Sequence, residues 1–277
     1  MLLTPRYGTD PVVVLDGDPA AIAEPAVRQR RRLVASLGNL TDEQWNSPSR
    51  CAGWTVRDVI VHLDGTCGFW EFTTQRALAG EPTEMLATFD PVATPAAMVA
   101  GNGESPDAIL TSLAASTERL AELWESIDHN GWQRLGEAPP GHISVSAVTH
   151  HALWDSWIHE RDVFVPLGAE PDREPDEIAS SLRYAAALGP ALAMARGCDR
   201  RGHFAIRVTK PSIALTVDIG DTVNVGDGAA DSAFTLSGDA VELLEALSFR
   251  APLAQIIPAD QAWMFAGLAD VFETDGW

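Results

Sequence analysis

The stretch "HHALWDSWIHERDV", residues 150–163, decides the fold. Wound as an α-helix, it stacks His151, Asp155 and His159 at i, i+4 and i+8, on a stripe shared with Val148, Ala152 and Ile158. Leu153, Trp154 and Trp157 cover much of the remaining circumference. A helix that is apolar nearly all round is a buried helix. A carboxylate and a histidine one turn apart can grip one metal ion from one helix face, and either Asp155–His159 or His151–Asp155 can be that pair. A catalytic zinc site needs three protein ligands and an open position, so a further ligand must come from another helix.

Working outward, residues 24–37 read as a helix and Asp42–Trp45 as a short helical turn. Thr55 and Asp58 form a T-x-x-D capping start. From there Val56, Val59, Ile60, Leu63, Cys67 and Trp70 trace one apolar stripe to about residue 79. His62 lies at the edge of that stripe and is the best candidate for the missing ligand. Residues 80–104 read as a long loop, and Ser105-Pro106 opens a third helix to about 128. "NGWQRLGEAPPG" reads as a turn-rich connection into the fourth helix, 144–165. Four helices of this length make a bundle. "PLGAEPDREP", 166–175, is the linker, followed by a helix at 175–196. The apolar period then changes to two in "HFAIRVT", "SIALTVDIG", "TVNVG" and "SAFTLSG", which read as strands, and two helices close the chain. The expected fold is mainly α with an α+β second domain. Residues 1–22 are an irregular N-terminal arm, 23–168 the bundle, and 169–277 a small sheet-plus-helices domain.

Composition narrows the function. The 277 residues carry a net charge of −20, with 39 acidic against 19 basic side chains. That surface repels phosphate backbones and anionic lipid, so neither nucleic acid nor membrane is an expected partner. No apolar run approaches the ~18–20 residues that span a bilayer, and the N-terminus does not read as a signal peptide, so a cytoplasmic location is expected. Cys51, Cys67 and Cys198 form neither a disulfide framework nor a zinc knuckle. Lys210 is the single lysine among the basic residues, as GC-rich coding tends to produce. Bland readings exist for each candidate. His62 can be a structural histidine, Asp155 can pair with Arg161, and Cys51, just before a helix start, can be simple packing.

"SPSRCAGWTVRDVIVHL" followed about a hundred residues later by "ALWDSWIHERDV" resembles the mycothiol-dependent maleylpyruvate isomerase family, whose N-terminal domain is a DinB-like metal-binding four-helix bundle. "FTLSGDAVELLEALSFRAPL" resembles the family's sterol-carrier-like C-terminal domain. The resemblance implies a divalent metal, zinc first, held by His62, Asp155 and His159, with Asp155 standing where the family has a glutamate. His151 is then a substitute ligand or a support for one. It implies Arg250 as a catalytic residue holding a substrate carboxylate, and mycothiol as the thiol cofactor. A metal-bound thiolate would add to an unsaturated acid, giving isomerisation or S-transfer. Partners would be that thiol and a small anionic substrate, and the chain a monomer or homodimer. Two alternatives stay open: a metal-binding accessory module without catalysis, and a metal-assisted hydrolase with Asp162 as base.

Overall fold

A computed structural model describes residues 3–228 and 234–272. Helices α1 (Ala23–Leu37), α3 (Val56–Leu78), α5 (Pro106–Glu125) and α6 (Val145–Phe164) form the four-helix bundle. The short α2 (Asp42–Trp45) precedes α3 as expected. Local chemistry sets the helix starts. Thr55 accepts from the Asp58 N–H while Asp58 accepts from the Thr55 N–H at 2.9 Å, closing the expected capping box. Ser105 and Ser144 cap α5 and α6 with their hydroxyls, each accepting from an N–H that has no partner within the helix. The α3 stripe read from the sequence is buried throughout, and α1, α3 and α7 (Pro175–Ala195) all pack on α6.

The second domain is a five-stranded sheet in the order β1-β6-β5-β4-β7 with helices against it. Its strands are β4 (Gly202–Thr209), β5 (Ile213–Ile219), β6 (Val223–Asp227) and β7 (Thr235–Asp239), joined by β1 (Val13–Leu15). Ser232 and Ala233, the start of the strand read as "SAFTLSG", lie outside the described residues. β4, β5 and β6 pair antiparallel, whereas β1 on β6 and β7 on β4 are parallel. Leu215, Val217, Ile219, Val223 and Val225 are buried at alternate positions, the period-two pattern expected of strands with one covered face. Helix α7 packs against this sheet as well as α6, α8 (Ala240–Leu247) and α9 (Trp263–Phe272), so one hydrophobic core runs through both parts. No helix among the described residues is long and apolar enough to cross a membrane.

Three segments differ from the sequence reading. The 80–104 loop contains a 3-10 turn, Met85–Thr88, and helix α4 (Ala93–Ala100). The turn-rich connection holds a hairpin, β2 (Leu135–Ala138) with β3 (Gly141–Ser144). The N-terminal arm contributes β1, whose Val13 pairs with Val223 across the sheet edge. Each piece is short and secured from a distance. The buried Glu137 carboxylate, for example, accepts from the backbone N–H groups of Met85 and Leu86 and from the Tyr7 hydroxyl. Such long-range partners leave no local periodicity to read.

Candidate metal centre

Helix α6 is buried along nearly its whole length, and Asp155 is the most exposed of its twenty residues. His159 lies one turn on, and α3 brings His62 across from the opposite wall. Asp155 Oδ1 stands 3.5 Å from His159 Nε2 and 3.7 Å from His62 Nε2, and one ligand atom from each residue lies within 4.8 Å of the others. Metal–nitrogen and metal–oxygen bonds of about 2.1 Å in a tetrahedron put neighbouring ligand atoms about 3.4 Å apart, so the two measured separations fit one shared cation. The second carboxylate oxygen, Asp155 Oδ2, is buried with no protein partner among the described residues. That oxygen is left without a partner, and a cation would supply one. The side chains of His62, Asp155 and His159 stay 13%, 14% and 11% accessible, so the cluster is not sealed from solvent. The three donors therefore fit a divalent metal, which in a tetrahedral site would have one further position.

The far side of His159 is equally built. Its Nδ1 meets Asp162 Oδ2 at 3.0 Å, fixing the ring so that Nε2 faces Asp155. Asp162 is fully buried and saturated: Arg250 donates from Nε and Nη2 at 2.8–3.0 Å, Arg50 from Nε at 3.0 Å, and Cys51 Sγ at 3.2 Å. Arg50 and Arg161 both donate to Glu245 of α8. Cys51, His159 and Asp162 also lie close enough to hold an ion. Two guanidinium groups already occupy Asp162 there, so that cluster has its positive charge without a metal.

Ionisation follows these contacts. Burial pushes the Asp155 carboxyl up, but the nearby imidazoles of His62, His159 and His151 outweigh it and hold it well below the usual carboxylate range. Asp162 is likewise held low, burial being outweighed by His159 and Arg250. Burial works against charge on His159, yet Asp162, Cys51 and Asp155 raise it to about 10. Burial pushes His151 down to about 4.

Of the residues named from sequence, His62, Asp155 and His159 come together. His151 does not join them. Its Nδ1 meets the Tyr184 hydroxyl at 2.6 Å, and its ring packs among Trp70, Trp154 and Tyr184. Arg250 arrives beside the centre, on Asp162 at the Nδ1 side of His159. Cys51 is half-buried in the same knot. Sequence reasoning missed Arg50, Glu245 and Trp54, whose ring packs on His62 at 5.6 Å. Arg50 and Asp162 are 112 positions apart, and no local pattern marks such a pair.

A four-helix bundle with a His–Asp–His cluster in its core, backed by a sheet domain, defines the class: a two-domain helical protein built around a candidate metal centre. The family model for the mycothiol maleylpyruvate isomerase N-terminal domain matches residues 26–164, and the chain belongs to that family. The fold is similar to the crystal structure of the mycothiol-dependent maleylpyruvate isomerase, with a TM-score of 0.58 at 18% identity over 88% of this chain and 92% of that one. A histidine-to-alanine mutant of that enzyme aligns with a TM-score of 0.57 at 18% identity, over 84% and 88% of the two chains. A search of curated protein sequences finds no match.

Proposed function

We propose that the protein is a metal-dependent isomerase or S-transferase that uses mycothiol as its thiol cofactor. The observation that carries the reading is the convergence of His62 Nε2, Asp155 Oδ1 and His159 Nε2 around one point. Zinc suits two imidazoles and a carboxylate. When bound, metal and thiol would together supply a thiolate at neutral pH, able to add to an activated double bond and either leave again after rotation or stay attached.

The chain's own part is positioning. Asp155 offsets one positive charge and orients to both imidazoles. Asp162 holds the His159 ring, and Trp54 packs against that of His62. Three guanidinium groups, Arg50, Arg161 and Arg250, face two carboxylates, Asp162 and Glu245, leaving one excess positive charge beside the centre. In a chain of net charge −20 that local excess supports an anionic substrate. The hydrolase reading has less support. Asp162 is saturated by two arginines on the Nδ1 side of His159, away from the Nε2 side where a nucleophilic water would sit.

The test is metal analysis of the purified protein, then thermal denaturation with mycothiol, with and without chelator, and incubation with cis-enoyl diacids. A ligand at a hundred times its Kd adds about 2.7 kcal/mol of stability. The expected result is a rise in Tm with mycothiol that chelation abolishes, together with a changed acid. A rise that survives chelation, or no metal at all, refutes the proposal. A metal-dependent rise with no change in any acid points to the accessory module.

A further inference from the structure

Arg250 reaches the bundle from the sheet domain, and all three of its side-chain nitrogens are already engaged within the protein. Nε and Nη2 grip Asp162, and Nη1 donates to the Ser248 carbonyl at 3.1 Å. A guanidinium so committed is poorly placed to seize a substrate carboxylate as well. Its presentation is built with some strain. Helix α8 ends in a Schellman-type turn, with Phe249 N–H on Ala246 O at 3.1 Å and Arg250 N–H on Glu245 O at 2.8 Å. The left-handed position of that turn, which favours glycine, is filled by Phe249 at φ 61°. That turn carries Arg250 onto Asp162, and two further contacts hold the end of α8 against α6. Trp154 Nε1 donates to Ser248 Oγ at 2.8 Å, and Arg161 to Glu245 at 2.6 Å.

We infer that Arg250 is a positioning residue that acts through Asp162 on His159, so that the sheet domain completes a metal centre to which it contributes no ligand. The inference rests on the reading of His159 as a ligand. A carboxylate on the outer nitrogen of a ligating histidine fixes its tautomer and ring, and losing such a partner costs 10–100-fold in metal affinity. Here the carboxylate is itself fixed by a fork from another domain. Two effects of Arg250 then oppose each other. Its positive charge repels a cation in the centre, so through space alone its removal tightens metal binding. Through Asp162 its removal frees the His159 ring and weakens binding. The sign of the change separates positioning from simple electrostatics.

The experiment is zinc competition against a chromogenic chelator, using the full-length protein and its R250A, R250K, D162N and R28A variants, with circular dichroism to establish that each is folded. Arg28 bridges α1 to Asp176 and Glu177 of α7 and touches neither Asp162 nor Glu245, so R28A loosens the molecule elsewhere. The expected result is a 10–100-fold loss of zinc affinity for D162N and roughly tenfold for R250A, partial recovery in R250K, and no change in R28A. R250K also serves where R250A does not fold. Equal or tighter zinc binding by R250A, or by R250K in its place, overturns the inference while leaving the metal centre standing. A matching loss in R28A overturns it too. A wild-type protein that binds no zinc overturns both this inference and the proposed function beneath it.

Discussion

His159 and His62 offer the same ring nitrogen to the same carboxylate oxygen, yet the chain holds them in different ways. His159 sits on the buried α6 with its Nδ1 against Asp162, which Arg50 and Arg250 pin in turn. The Nδ1 of His62 is buried with no protein partner among the described residues, and its ring is steadied by packing against Trp54. One half of the centre is locked by charge-assisted hydrogen bonds and the other is seated by van der Waals contact. The difference teaches where directional restraint resides: hydrogen bonds to charged groups fix an angle, whereas packing permits a ring to rock.

Removing the rings themselves has the largest expected effect. H159A and H62A should each bring bound metal from stoichiometric to near zero, read by elemental analysis after dialysis, since two ligands rarely hold zinc against buffer. A variant that kept its metal would break the comparison at its root. Next comes the carboxylate that both rings share. D155N, which keeps shape but loses charge, should weaken zinc by about 100-fold in a competition assay. D155E should stay within about tenfold, because one extra methylene keeps the ligand type. Loss of the packing half is expected to be milder. W54A should weaken zinc by only a few-fold, less than D162N, and a larger loss than D162N reverses the ranking of the two halves.

The last effect is on folding rather than on metal affinity, and concerns two buried histidines of α6. Burial pushes His150 and His151 down to about 4, against an ordinary 6.5. Between those values the unfolded chain takes up protons that the folded chain refuses. Stability should therefore fall as pH drops from 6.5 toward 4, by at most about 1.4 kcal/mol per pH unit for each histidine. Replacing His150 with Gln should make the urea midpoint less sensitive to pH over that window, and an unchanged dependence would show that His150 is not the titrating group.

Much of this was legible in the chain. The T-x-x-D start of α3 and its apolar stripe, the Ser-Pro start of α5, and the near-continuous apolarity of α6 each follow from neighbours three or four residues apart. His62, Asp155 and His159 could be named as one set because they lie on two helices whose buried faces are visible in the sequence. The hairpin at 135–144, helix α4 and strand β1 were not legible. None is long enough to show a period, and what the hairpin and β1 meet, Leu86 and Val223, lies far off in the chain.

The sequence by itself determined which faces of the helices turn inward, and hence that an imidazole–carboxylate column had to be buried, because helical periodicity is a local property. Only the tertiary structure decided which atoms meet. It set His151 against Tyr184 rather than beside His62, and it turned Arg250 onto Asp162. Those pairings depend on how one element is rotated and translated against another, and packing across the whole core sets that placement.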